Sequence, residues 1–167
     1  NLDGDAGSNA DHLLTIDADA YTPVDSTFMT SGEIVTVEGT PMDFRTPTPV
    51  GKRINDFDFV QLKNGNGYDH NWVLKNEGRF DKVAEVTGDE SSIVMEVWTD
   101  RPGVQVYTAN FLENEAGRNG AVYQKREAVC LETQNYPDAV HQKNFPEAIC
   151  KKGETYDTKT AYRFHIE

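Results

Sequence analysis

The sequence lacks any apolar run long enough to cross a membrane. A transmembrane helix needs about 20 consecutive apolar residues, and no stretch of this 167-residue chain approaches that length. The N-terminal residues also lack the basic and apolar regions of a signal peptide. The sequence therefore predicts a soluble protein with no membrane partner. It does not identify the compartment, although the cytoplasm is slightly favoured over the periplasm or secretion.

Basic residues are scarce. The chain has 16 lysines and arginines against 28 acidic residues, which gives a formal charge of −12. Proteins that bind nucleic acid hold the phosphates through lysine and arginine. We therefore expect no nucleic-acid partner, and we interpret the one local excess of base, around Lys151 and Lys152, as a solvated loop.

Cysteine is nearly absent, and the motifs of several enzyme classes are missing. Cys130 and Cys150 have no second pair, so neither a disulfide scaffold nor a zinc framework is indicated. Three of the four histidines, His12, His141 and His165, lack the spacing of metal ligands. The sequence contains no Gly-x-Ser-x-Gly elbow, phosphate loop or dinucleotide fingerprint. We predict no metal and no cofactor.

Short apolar runs of strand length recur along the whole chain. They are rich in Val, Ile, Thr, Tyr and Trp and are separated by glycine-containing turns, and they lie at 13–16, 34–37, 72–74, 83–86, 93–98, 104–107, 128–131 and 161–166. No sustained helical pattern and no linker interrupts them. This pattern predicts an all-β fold, an antiparallel β-sandwich or barrel, with residues 1–167 in one domain.

The longest irregular stretch is 39–58. Irregular segments on a rigid sheet often shape binding sites, but on composition alone an ordinary surface crossover is the more usual outcome. The sequence leaves both interpretations open.

Four polar or aromatic residues are candidates for chemistry. Glu132 ends an apolar, strand-like run, and burial would be costly for a carboxylate that is neither paired nor used. Asp69 follows a glycine-rich turn and precedes an apolar run, which places it at the start of a strand, with His70 on the opposite face. Gln105 and Tyr107 have the period-two spacing that puts both side chains on one face.

Each candidate also has an ordinary structural explanation. A glutamate beside a strand is commonly exposed or salt-bridged, and an aspartate after a turn often binds backbone N–H groups. A tyrosine and a glutamine on a strand are commonly core and surface residues. The residue pattern alone does not separate these uses from catalysis.

Three segments together resemble one known family. The segment CLETQNYPDA at 130–139 closely resembles the one that carries the catalytic base of aldose 1-epimerases, the galactose mutarotases. The segments GYDHNWVL at 67–74 and RPGVQVYTANFL at 101–112 match the same family in the same order. The resemblance implies a galactose mutarotase-like supersandwich, of which residues 1–167 would form the C-terminal portion.

The resemblance also implies a reaction and a role for each candidate. Glu132 would be the base that takes the C1 hydroxyl proton of a hexose such as galactose or glucose, opening the ring without a cofactor. Asp69 would accept hydrogen bonds from sugar hydroxyls. Gln105 would hydrogen-bond a hydroxyl, and Tyr107 would cover the apolar face of the pyranose.

One part of the family pattern is missing from this sequence. The family's acid histidine stands in a motif of the form His-Ser-Tyr-Phe-Asn-Leu, and Asn1-Leu2 looks like its last two residues. The resemblance therefore implies that an N-terminal half, in cis or as a separate chain, supplies the acid. Alone, the chain is expected to be inactive or nearly so, and to expose apolar surface that favours a partner half or an oligomer.

Two further functions remain as alternatives. Asp69 and Glu132 could be the paired carboxylates of a glycoside hydrolase, provided that both flank one glycosidic bond. A non-catalytic carbohydrate-binding β-sandwich module is the third possibility, and the missing histidine favours it. Relatives that act on phosphorylated hexoses are a further variant, although the sequence shows no basic phosphate pocket.

Overall fold

A computed structural model describes residues 1–4 and 7–166 of the chain. Its strands are β1 (Leu13–Ile16), β2 (Ala18–Thr22), β3 (Val35–Thr36), β4 (Thr48–Pro49), β5 (Asp69–Leu74), β6 (Asp81–Thr87), β7 (Ile93–Thr99), β8 (Gly103–Tyr107), β9 (Glu115–Ala116), β10 (Val122–Tyr123), β11 (Cys130–Gln134) and β12 (Thr160–Ile166). One short helix, α1 (Val60–Gly65), and two 3-10 turns, Val50–Lys52 and Arg118–Gly120, accompany them.

The strands form two five-stranded antiparallel sheets and one small hairpin. Sheet A has the order β12-β7-β6-β1-β4, and sheet B has the order β11-β8-β5-β2-β3. Strands β9 and β10 pair only with each other in the described part of the chain. The prediction of an all-β antiparallel fold is confirmed.

Both sheets contribute to one hydrophobic core. Leu14 and Ile16 of sheet A belong to the same buried cluster as Trp72, Val104 and Val106 of sheet B. Each large side chain that is fully buried stabilises the fold by about 1.5–3 kcal/mol. On sheet B, strand alternation sends these apolar residues to the core and leaves the opposite face for polar side chains.

The irregular stretch 39–58 crosses the surface in part, since 45–47 and 55–58 are exposed, but buried side chains anchor it in the core. Met42 and Phe44 are buried, and the Phe44 ring lies edge-on to Tyr68 and Trp72. The Trp72 indole N–H donates a 3.0 Å hydrogen bond to the carbonyl oxygen of Met42. The segment therefore supports sheet B from its core side.

The eight predicted runs all coincide with strands, but four strands were missed. The strand β2 has the sequence ADAYT, whose alanine and aspartate do not favour strands, yet it lies between β5 and β3 in sheet B. Strands β3, β4, β9 and β10 are each two residues long, and only β3 lies in a predicted run. Neither α1 nor any other helix of the described residues has the length and apolar character to span a membrane.

The edges of the two sheets meet where β12 passes β11. The Tyr162 hydroxyl donates a 2.8 Å hydrogen bond to the carbonyl oxygen of Leu131, and the hydroxyls of Thr133 and Thr160 are also hydrogen-bonded. These contacts hold β11, the edge strand of sheet B, beside sheet A.

Candidate active site

The face of sheet B that points away from the core carries a row of polar side chains. Strand register aligns Thr22 with Asn71, Asn71 with Gln105, and Gln105 with Glu132. A second row aligns Asp69 with Tyr107. Because neighbouring strands lie about 4.8 Å apart, these registers bring residues from four strands into one polar surface.

This surface is the floor of an open cavity of about 560 Å³. That volume is within the range of small-molecule sites. The lining residues come from β2, β5, β8, β11 and adjacent loops: Thr22, Val24, Phe28, Asp69, Asn71, Gln105, Tyr107, Phe111, Glu132, Gln134 and Pro137. The structure therefore brings the four sequence-predicted residues, Asp69, Gln105, Tyr107 and Glu132, to one cavity.

Asp69 is the first residue of β5, as the sequence predicted. The turn before it requires a left-handed backbone at Asn66 and at Gly67, whose φ values are 51° and 130°. A side chain at Gly67 would also collide with Arg126 and Asn110. The turn thus needs glycine, and it delivers Asp69 to the cavity floor.

The Asp69 carboxylate is half-buried and accepts a 2.9 Å hydrogen bond from the Gln105 side-chain amide. Burial raises the pKa of this carboxyl, and the hydrogen bond from Gln105 offsets part of the rise. An ionised carboxylate with one donor from the protein can still accept hydrogen bonds from a ligand. Asp69 is therefore suited to hold hydroxyl groups.

Glu132 differs from the sequence expectation in its environment. It lies in the middle of β11, and its side chain is exposed, so the argument from costly burial is wrong for this residue. Among the described residues, its carboxylate forms no hydrogen bond or ion pair. The group is accessible in the cavity and free to accept a proton.

An aromatic wall closes one side of the cavity. The Tyr107 ring stacks on Phe111 at a centroid distance of 6.4 Å, and Phe111 lies edge-on to Phe28 at 6.0 Å. The Tyr107 hydroxyl accepts a 3.2 Å hydrogen bond from the backbone N–H of Phe111. Aromatic faces beside polar groups suit a ligand that has both C–H surfaces and hydroxyl groups.

Sequence reasoning missed several residues of this cavity. Asn71 and Gln134 lie two positions after Asp69 and Glu132, so the period-two rule already used for Gln105 and Tyr107 could have identified them. Phe28 and Phe111 lie on loops, where no periodic signal predicts the direction of a side chain. The two phenylalanines could be located only from the fold.

His70 lies on the opposite face of β5, as its position next to Asp69 predicted. Its Nδ1 accepts a 3.1 Å hydrogen bond from the backbone N–H of Asp69, so the proton of the neutral ring is on Nε2. Burial lowers the pKa of His70 to about 4. The imidazole is therefore neutral at physiological pH and supports Asp69 from the core side.

One group of possible metal ligands exists that the sequence spacing did not indicate. Asp3, His12 and Asp89 place one ligand atom each within 4.8 Å of one another. However, His12 Nδ1 is 2.7 Å from Asp89 Oδ1, and His12 Nε2 accepts a 3.1 Å hydrogen bond from the backbone N–H of Leu2. With Nε2 accepting, Nδ1 carries the proton and is not available to a metal ion. The group instead ties the N-terminal residues to the β6–β7 turn.

The two cysteines form no disulfide. Cys130 is half-buried on β11 and Cys150 is exposed in a loop. Burial, together with the charges of Glu132 and Asp69, raises the pKa of the Cys130 thiol. The thiol is thus kept protonated, which makes it a weak nucleophile.

A sandwich of antiparallel sheets with an open polar cavity on one sheet places the chain in the class of β-sandwich proteins with a small-molecule site. The model of the aldose 1-epimerase family matches residues 1–163, and the chain belongs to this family.

Similar proteins agree with the family assignment. The chain is 46% identical to galactose mutarotase from Homo sapiens over 168 residues, which is 99% of this chain and 47% of that protein. It is 32% identical to aldose 1-epimerase from Escherichia coli (strain K12), covering 100% of this chain and 49% of that protein. The chain spans about half the length of the curated relatives it matches.

A solved structure supports the fold. An aldose epimerase homologue from C. elegans superimposes with a TM-score of 0.80 at 24% sequence identity, over 97% of this chain and 48% of that chain. The glycoside hydrolase and binding-module alternatives are not favoured by these comparisons, since the family and the named relatives are aldose epimerases.

Proposed function

We propose that this chain contributes the catalytic base and much of the sugar-binding surface of an aldose 1-epimerase that interconverts the α and β anomers of hexoses such as galactose or glucose. The observation that carries the proposal is the convergence of three separate sequence segments on one cavity, where the Glu132 carboxylate is unpaired within the part of the chain that the structure describes. Membership of the aldose 1-epimerase family supports the same chemistry.

In the proposed mechanism, Glu132 takes the proton of the C1 hydroxyl while an acid protonates the ring oxygen. The ring opens to the free aldehyde, rotation about the C1–C2 bond exchanges the faces of the carbonyl, and the ring closes with the two proton transfers reversed. No oxidation or group transfer occurs, so two positioned proton-transfer groups are sufficient.

The other cavity residues hold the sugar in this mechanism. Asp69 accepts hydrogen bonds from hydroxyl groups, and Gln105 donates or accepts one more. Tyr107, backed by Phe111, covers the apolar face of the pyranose. Such positioning lowers the barrier by fixing the anomeric carbon beside the base.

The proposed acid comes from polypeptide outside residues 1–167, either joined to this chain or as a separate chain. Within the described residues, the ionisable groups that line the cavity are Asp69, Tyr107 and Glu132, and none is a histidine. The shared hydrophobic core of both sheets supports the further proposal that residues 1–167 belong to a single β-sandwich domain.

The test is Glu132→Gln in the complete, active protein. The amide retains the size of the side chain but cannot accept the C1 proton, so kcat should fall by roughly 10² to 10⁴ while sugar binding persists. Mutarotation followed by polarimetry gives kcat, and calorimetry gives the affinity. Glu113→Gln is the matched control, because Glu113 is exposed and does not line the cavity.

Asp69→Asn separates positioning from proton transfer in the same assays. This variant should weaken sugar binding together with turnover, since a neutral amide is a poorer acceptor for hydroxyl groups. Asp58→Asn, at an exposed position outside the cavity, should leave both unchanged. A Glu132→Gln variant that turns over at nearly the wild-type rate would show that Glu132 is not the base.

A further inference from the structure

Gln134 connects three strands of sheet B through its side-chain amide. It lies on β11 two residues after Glu132, on the same face. Its Nε2 donates to Gln105 Oε1 at 3.2 Å and to Asn71 Oδ1 at 3.3 Å. One amide group thereby engages two other carboxamides on the cavity floor.

These contacts determine which way Gln105 faces. A carboxamide has one accepting oxygen and one donating nitrogen, and without neighbours the two orientations fit almost equally well. Because Gln134 donates to the oxygen of Gln105, the nitrogen of Gln105 is turned to Asp69, where it donates at 2.9 Å. With the opposite orientation, the Gln105 oxygen would face the Asp69 carboxylate, which is repulsive.

Asn71 completes the arrangement from the cavity floor. It is 1% exposed and lines the cavity, and its Oδ1 accepts from Gln134 while its Nδ2 has no partner among the described residues. A buried N–H group without a partner costs about 1–3 kcal/mol, so Asn71 is a poor choice for stability alone. Gly103 makes room for it, since a Cβ there would lie 2.3 Å from Asn71 Oδ1.

We propose that Gln134, anchored by Asn71, is a positioning residue that fixes the Gln105 carboxamide with its N–H toward Asp69 and so sets the affinity of the site for sugar. The role acts through Gln105 and is distinct from proton transfer by Glu132. The kinetic consequence rests on the proposed epimerase function, whereas the orientation of Gln105 does not.

Two substitutions at Gln134 separate the possible roles. Gln134→Met removes the amide at similar size and leaves the contact with Asp69 as what remains to orient Gln105. Gln134→Glu replaces the donor by a carboxylate, which would draw the Gln105 N–H toward itself and turn the Gln105 oxygen to Asp69. Gln134→Glu should therefore weaken sugar binding more than Gln134→Met does.

The kinetic test uses the complete enzyme and galactose. We expect KM to rise roughly tenfold for Gln134→Glu and by a smaller factor for Gln134→Met, with kcat within about threefold of wild type. A fall in kcat with unchanged KM for both variants would overturn the proposal, because the proposed effect of Gln134 is on the affinity of the site for sugar.

The second test needs no sugar. The titration of the Asp69 carboxyl is followed by ¹³C NMR in wild type, Gln134→Met, Gln105→Met and the double variant. We expect Gln134→Met to raise the pKa of Asp69, since the donor on Gln105 is no longer held in place, and to have no further effect once Gln105 is replaced. The proposal would be overturned if Gln134→Met shifted the pKa of Asp69 equally with Gln105 present and with Gln105 replaced by Met, or did not shift it at all.

The two tests distinguish failure of the inference from failure of the proposed function. If wild type shows no mutarotation but the NMR cycle shows coupling, the epimerase function fails and the positioning role stands. If wild type is active but the residues are uncoupled, only the positioning role fails.

Discussion

His70 and Asp69 are adjacent in sequence but have opposite environments. Alternation along β5 places Asp69 on the cavity floor and His70 in the core, where the His70 ring lies edge-on to Tyr21. The only hydrogen bond of the His70 ring in the described structure is the one from the Asp69 backbone N–H. Leaving Nε2 of a buried imidazole unpaired is costly. The favourable contribution of His70 is the hydrogen bond from the Asp69 backbone, which holds the strand at that residue.

The low pKa of His70 predicts a pH dependence of stability. In the unfolded chain its pKa is about 6.5, and burial lowers the folded value to about 4. As the pH falls between these values, the unfolded state binds a proton that the folded state does not. The free energy of unfolding should fall by up to about 1.4 kcal/mol per pH unit.

The measurement compares denaturant unfolding of wild type and His70→Asn between pH 7 and 4.5. Asparagine retains an acceptor near the position of Nδ1 but does not titrate in this range. Carboxylates titrate in both proteins, so the difference between the two curves isolates His70. Parallel pH profiles would contradict the assignment of a neutral, buried His70.

At the residue scale, the sequence predicted which side chains face one surface better than it predicted their environment. The period-two rule placed Gln105 and Tyr107 together, and resemblance added Glu132 and Asp69. The burial argument for Glu132 failed because its apolar neighbour Leu131 faces the core, while Glu132 itself faces the cavity. Local composition does not reveal which face of a strand the rest of the fold will bury.

At the element scale, β8 is the central strand of the site, because it pairs with both β5 and β11. It begins at Gly103, where the side chains of Asn71 and Tyr136 approach closely. The strand could accept a glycine at this end because neighbouring side chains fill the space that a side chain would occupy.

Gly103→Ala should therefore disturb both stability and the site. The added Cβ would lie 2.3 Å from Asn71 Oδ1 and 3.0 Å from Tyr136 Cδ1, and such overpacking typically costs about 1–3 kcal/mol. Denaturant unfolding measures the loss. In an Asn71→Ser background the cost should be smaller, because one of the two collisions is relieved; an undiminished cost would show that Asn71 is not the obstacle.

The elements that escaped sequence prediction have a physical explanation. Strand β2 contains alanine and aspartate, yet it pairs with β5, and its last residue, Thr22, belongs to the polar row of the site. The segment 39–58 contributes single buried side chains such as Met42 and Phe44 rather than a periodic pattern. Tertiary packing, which no short window of sequence encodes, determines both.

At the scale of the whole molecule, the open edge of sheet A is unusually apolar. On β12, Tyr162, Phe164 and Ile166 point to one side and are 46%, 60% and 75% exposed. Among the described residues no strand pairs with its outer side, although the side chains of Thr160 and Tyr162 reach β11. Exposed edge strands with apolar side chains readily pair with other chains.

This edge predicts self-association of residues 1–167 when produced alone. Sedimentation at increasing concentration should reveal dimers or larger species, and Phe164→Lys should shift the distribution toward monomer. Val140→Lys is a suitable control, since Val140 is also exposed, at 59%, but lies in a loop. Equal effects of the two substitutions would show that the β12 edge is not the contact.

Activity of the complete protein should not depend on a metal ion. The proposed base and hydrogen-bonding groups are all side chains, and both ring nitrogens of His12 in the Asp3–His12–Asp89 group already have hydrogen-bond partners. Polarimetry after exhaustive treatment with a chelator should give the untreated rate. Loss of activity that one particular ion restores would contradict this expectation.

The two faces of sheet B also constrain how the sequence can diverge. Along β5, β8 and β11, core residues such as Trp72, Val104 and Leu131 alternate with cavity residues such as Asn71, Gln105 and Glu132. In a saturation-mutagenesis map, substitutions at the core positions should therefore lower cellular abundance, and substitutions at the cavity positions should lower catalytic turnover. A lineage could retune the ligand preference through one set of codons while selection for folding holds the interleaved set fixed.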